Sequence, residues 1–127
     1  MQFGFSTFFL FLTANFLLFL HLTLGDKSKL WQLKNFGETI RGIRESKGLL
    51  LRQVAAAIEV DTALVSKLER GERKAQREQV SKLAKFFDVP EDTLLLVWLS
   101  DKVMDLLEEE PLAYQALKQT EKRINRS

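Results

Sequence analysis

Residues 49–71 read LLLRQVAAAIEVDTALVSKLERG, and this stretch decides the fold. From about Leu50 to Ile58, an apolar stripe of Leu51, Val54, Ala55 and Ile58 turns inward, while Arg52, Gln53 and Glu59 turn outward, which predicts a short amphipathic helix. Asp61 is suited to cap a third helix of the chain, over about Thr62 to Arg70, whose Val65 and Leu68 face a core. Gly71 follows it and can take the left-handed conformation that often ends a helix. Ala55, Ala56 and Ala57 are small enough to let these two helices cross closely, with Ile58, Val60, Val65 and Leu68 filling the space beneath. Two short helices joined by a tight turn leave one helix free to project into a major groove while the other crosses the backbone.

The flanks continue the helical pattern. Asn35 with Glu38 three residues on is a capping-box arrangement, and Phe36, Ile40 and Ile43 recur on one face until Gly48 ends that first helix. Val80, Leu83, Ala84 and Phe87 stripe a fourth helix, interrupted by Asp88-Val89-Pro90, and Pro90 is suited to open a fifth that runs to about Glu110. That fifth helix carries Leu94, Leu95, Val97, Trp98, Val103, Met104, Leu106 and Leu107 on more than one face. Leu94 to Trp98 read most simply as core, and the surplus beyond Trp98 suggests a dimer contact. After Pro111 a last helix runs through Tyr114 and Leu117 to about Ile124, ending in a basic tail. No strand pattern, repeat or phosphate-binding glycine loop stands in this part.

The 127 residues carry 19 Lys+Arg against 17 Asp+Glu, a net charge of +2 that names no partner by itself. Its distribution is more telling: between Arg41 and Lys85 there are 11 Lys+Arg and 6 Asp+Glu, an excess of +5 by subtraction. The chain has no cysteine, which excludes a disulfide framework and a thiolate metal site, and its one histidine, His21, sits in an apolar run. Asp105, Glu108, Glu109 and Glu110 form an acidic run at a helix end rather than a paired acid and base, and no nucleophile has a base partner. An enzyme is therefore not expected, nor any cofactor or metal.

The segment LLLRQVAAAIEVDTALVSKLERGER resembles the helix-turn-helix of the Cro and lambda-repressor superfamily, of the xenobiotic-response-element type, and the resemblance covers about Phe36 to Leu96. Ser66-Lys67-Leu68-Glu69-Arg70-Gly71 matches the family's recognition-helix close, where a Glu and a Gly recur. The resemblance implies base contacts from Thr62, Ala63, Ser66 and Lys67. Arg70 falls where family members hold phosphates, and Arg73 and Lys74 extend that track. One departure stands out: the family's second helix opens with a Ser or Thr cap and then a DNA-touching Gln, where this chain has Leu50 and Leu51. That Gln contact is not carried over, and Arg52 is assigned a backbone role in its place.

The expectation is thus an all-α, five-helix Cro/lambda-repressor-like domain over residues 35–100, with a C-terminal helical extension over 101–127 as a candidate dimerisation element, and a hydrophobic N-terminal helix within 1–34. The expected function is a sequence-specific transcriptional regulator that binds double-stranded DNA as a homodimer, two recognition helices about 34 Å apart matching successive major grooves. Relatives of this general kind include restriction-modification controllers and antitoxins, and the resemblance does not choose among these roles. Residues Phe3–Leu24 contain no charged side chain and seven of the ten Phe, over about the ~20 residues that span a bilayer. They read either as a membrane anchor, which Lys27, Lys29 and Lys34 would orient with the following domain in the cytoplasm, or as upstream sequence ahead of a start at Leu33. The alternative function is accordingly a membrane-anchored module that binds a protein.

Overall fold

The computed structural model describes residues 34–127, and among these every element is helical: α1 (Phe36–Ser46), α2 (Leu51–Ile58), α3 (Thr62–Glu69), α4 (Arg77–Phe87), α5 (Glu91–Leu107) and α6 (Ala113–Ile124). Helices α1 to α5 enclose one core, as expected of the five-helix domain. Ile40, Val54, Ile58, Val65, Leu68, Val80, Leu83, Phe87 and Leu94 lie at its centre, each almost wholly removed from water. Among the described residues no helix is long and apolar enough to cross a membrane. The anchor expected over Phe3–Leu24 lies outside the described residues.

Several helix ends are held by their own sequence. Asn35 accepts from Glu38 N–H at 2.9 Å through its side chain, and its carbonyl accepts the Thr39 hydroxyl. A second acceptor comes from far along the chain, since Asp101 Oδ2 takes the Phe36 N–H at 2.8 Å. Helix α2 starts without the Ser or Thr cap, and Gln53 compensates by turning its Oε1 back onto the Leu50 N–H at 2.8 Å. Helix α5 stops at Leu107, three residues before the expected Glu110, with Glu108 extended and Glu109 left-handed. Three glutamates in a row at the negative end of the helix dipole, followed by Pro111, disfavour continuing the helix there. The boundary expected at residue 100 falls inside α5, which runs on for seven residues and keeps Asp101 against α1.

The three alanines do not act together as expected. Ala55 is buried and Ala57 half-buried, but Ala56 is exposed, because three consecutive residues spread over most of a helix circumference. A close backbone approach is made elsewhere. Gly37 in the first turn of α1 lies so near the end of α3 that an added Cβ would stand 2.5 Å from the Leu68 carbonyl oxygen and 2.7 Å from that of Glu69.

Helix α5 has two apolar faces. Leu94 and Trp98 enter the core, and the Trp98 indole N–H donates to the Ala75 carbonyl at 2.8 Å while Lys102 lies over its ring. Leu96, Leu99, Val103, Met104 and Leu106 are exposed on the other side. Helix α6 buries none of its residues.

Candidate nucleic-acid interface

Helix α3 is the element on which the expected site depends, and its orientation is fixed from three directions. Asp61 caps it, its carboxylate accepting the Leu64 N–H at 2.6 Å. Val65 and Leu68 sit in the core. At its C-terminal end the Glu69 carboxylate, 6% exposed, takes Arg44 of α1 in a two-pronged pair, Nε to Oε1 at 2.6 Å and Nη2 to Oε2 at 3.0 Å. The remaining Arg44 nitrogen donates to the Leu49 carbonyl at 2.9 Å, so one guanidinium ties α1 to the end of α3 and to the loop that opens α2. The bond to Glu69 raises the Arg44 pKa against the burial that would lower it.

The opposite side of α3 faces solvent. Thr62, Ala63 and Lys67 are exposed there, and Ser66 is half-buried. Behind α3 the chain folds back at once: the Glu72 and Arg73 N–H groups both donate to the Lys67 carbonyl, at 3.0 and 3.3 Å, and Gly71 takes the left-handed φ of 73° that this turn needs. The turn brings Arg73 beside α3, so that Ala63, Lys67 and Arg73 border one shallow hollow together with Asp61 and Leu64.

The other expected contact residues are placed differently. Arg70 donates to both Glu72 oxygens, at 2.6 and 3.0 Å, and also to the Ser66 hydroxyl. The bonds to Glu72 raise the Arg70 pKa and hold the Glu72 carboxyl below its usual range, with the Arg70 and Lys67 charges adding to the latter effect. Lys74 reaches back to Asp105 of α5 at 2.8 Å. Arg70 and Lys74 therefore line a groove between α1, the loop after α3 and α5 rather than the hollow, and Arg73 borders both. Arg52 is exposed on α2 and borders neither. Among the described residues, no carboxylate lies within ion-pair distance of Arg52, Lys67 or Arg73.

The pairing that holds the site escapes a reading of the sequence, although the resemblance marks Glu69 itself. Arg44 and Glu69 stand 25 residues apart, and no local periodicity relates them. Gly37 does carry a signal, because a glycine inside a helix costs about 1 kcal/mol relative to alanine and calls for a packing reason.

Residues 40–94 match a family model described as helix-turn-helix, a span from the middle of α1 to the first turn of α5. Among solved structures, the chain is similar to the restriction-modification controller protein C.AhdI from Aeromonas hydrophila, at 32% identity over 46% of this chain and 89% of that one, with a TM-score of 0.45. It is also similar to the clp gene regulator ClgR from Corynebacterium glutamicum, at 24% identity over 70% of this chain and 84% of that one, with a TM-score of 0.47. No curated protein matches.

Proposed function

Because the chain belongs to the helix-turn-helix family through residues 40–94, we propose that it is a cytoplasmic, sequence-specific transcriptional regulator whose helix α3 enters the major groove of double-stranded DNA. The observation that carries this reading is the division of α3 into two faces. One is fixed by the core, the Asp61 cap and the Arg44–Glu69 pair, while the other presents Thr62, Ala63 and Lys67 with no structural use inside the domain.

On this reading Thr62 and Ser66 hydrogen-bond base edges, Ala63 packs on a thymine methyl, and Lys67 reaches guanine or a phosphate. Arg52 and Arg73 meet the backbone directly. Arg70 and Lys74 do so on exchanging Glu72 and Asp105 for phosphate, an exchange that costs little because exposed ion pairs contribute roughly 0–1 kcal/mol. With four backbone cations per copy, log affinity should fall against log salt with a slope of roughly −3.6 per copy, taking about 0.9 per phosphate. A homodimer would set two copies of α3 about 34 Å apart on a two-fold operator, and the exposed apolar residues of α5 and α6 support a contact between copies.

The experiment is selection of bound sequences from a random DNA pool, followed by titration of the enriched site with wild-type protein and with a Lys67→Ala, Arg70→Ala double variant. The variant should bind at least about tenfold more weakly, or roughly 1.4 kcal/mol, with a shallower salt dependence. Equal affinity would overturn the residue assignment. A pool with no enriched sequence and no salt-dependent binding would overturn the function itself.

A further inference from the structure

Among the described residues, nine of the eleven exposed large apolar side chains fall between Leu96 and Ile124, so the exposed apolar surface of the described domain is concentrated on α5, α6 and the turn between them. On α5, Leu96, Leu99, Val103 and Leu106 follow at intervals of three, four and three, on the side away from Leu94 and Trp98. On α6, Ala113, Leu117, Thr120 and Ile124 follow at four, three and four. Both are the rhythm of a seam between two packed helices. The two seams are also similar in length, since residues 96–106 make eleven and Ala113–Ile124 twelve, about 16 and 18 Å of helix.

Their charges are opposite. The acidic run Asp105, Glu108, Glu109 and Glu110 closes α5, and α6 with its tail carries Lys118, Lys122, Arg123 and Arg126 against the single Glu121. Yet the seams do not pack along one another within the chain, because α6 has no buried residue and shares no extended contact with α5. We infer that α6 of one copy lies along the C-terminal half of α5 of a second copy, apolar seam on apolar seam and basic residues over the acidic run, the contact being made twice about a two-fold axis. A second copy is the occupant that both surfaces specify: each surface is the complement of one the same chain carries, so a reciprocal pair closes with neither left over. The inference rests on the homodimer in the proposed function and identifies the surface that makes it.

The test is sedimentation equilibrium of the full chain without DNA, in one fixed non-ionic detergent. Two charge-reversed variants are compared, Lys118→Glu with Lys122→Glu and Arg123→Glu, and Glu108→Lys with Glu109→Lys and Glu110→Lys. Wild type should be dimeric, and each variant alone should dissociate at least tenfold more readily. An equimolar mixture of the two should recover the dimer, because every α6 then meets an α5 end of opposite charge.

A mixture that stays monomeric overturns the inference in favour of α6 folding onto its own α5. Variants that dimerise like wild type overturn it while leaving the homodimer standing, and a monomeric wild type overturns both. Should the triple variants not fold, the single substitutions Lys122→Glu and Glu109→Lys, alone and mixed, discriminate the same outcomes.

Discussion

Gly37→Ala and Gly42→Ala place the same methyl group on the same helix, and the structure assigns them opposite effects. At Gly37 the new Cβ would stand 2.5 Å from one backbone oxygen of α3 and 2.7 Å from another. Reaching an ordinary contact of 3.4 Å requires α1 and α3 to separate by about 0.9 Å, the difference of those distances. Backbone cannot rotate aside, and the separation strains the packing of Ile40 and the 2.6 Å Arg44–Glu69 bond. Overpacking of this kind costs about 1–3 kcal/mol or more, against a gain of at most ~1 kcal/mol from replacing a helical glycine. Because the clash is with fixed backbone oxygens, the upper part of that range applies, about 2–3 kcal/mol. The net loss should be about 1–2 kcal/mol, and a domain of this size loses roughly 4–8 °C of melting temperature per kcal/mol. Gly42 has no atom within 4 Å of its would-be Cβ, so only the gain operates and Gly42→Ala should melt up to several degrees higher. Thermal unfolding followed by helical circular dichroism reads both. Shifts of the same sign, or a Gly37→Ala protein as stable as wild type, would refute the close-approach argument.

Arg44→Met should cost about 3–5 kcal/mol in urea unfolding, because it strands a buried carboxylate, while Arg44→Met with Glu69→Leu should recover most of the loss; a single-variant cost under ~1 kcal/mol would contradict the burial argument. Asp61→Ala should lose about 0.5–2 kcal/mol with the α3 cap, and Asp61→Asn should retain it, both measured by the same unfolding curves. Hydrogen bonds from Arg41, Lys82 and Arg70 hold Glu45, Glu59 and Glu72 below the usual carboxylate range. A carboxylate with a depressed folded pKa adds stability above its unfolded value, about 4.3, and loses it as pH falls through the folded one. The melting temperature should therefore decline below about pH 4.3, and replacing all three glutamates by glutamine should flatten that acid limb.

Much of the domain is legible in the sequence because its signals are local. The i, i+3 and i+4 repeats that bury Val65 and Leu68 place α3 and its outward residues, and Asp61 and Gly71 mark its ends without reference to the rest of the chain. Pairings across the fold leave no such trace. Nothing near Lys74 indicates Asp105, 31 residues on, and nothing near Ala75 indicates the Trp98 indole. Charge counting makes Arg70 and Lys74 equivalent to Lys67, whereas the structure gives the first two carboxylate partners. The Leu50-Leu51 opening of α2 resembles a missing cap only while Gln53 counts as an outward polar residue; its side chain is in fact the hydrogen-bond acceptor for its own helix.

The bond from the Phe36 N–H to Asp101 has a consequence for the order in which the domain assembles. It joins the first helix to α5 across 65 residues, so during synthesis α1 emerges long before one of its two cap acceptors exists. Closing so long a loop costs entropy that is recovered only when α5 docks. Docking of α5 should thus be the late, committing event, with Trp98 as its witness. In a Trp31→Phe chain, the fluorescence of the one remaining indole would time the moment at which the two ends of the domain meet.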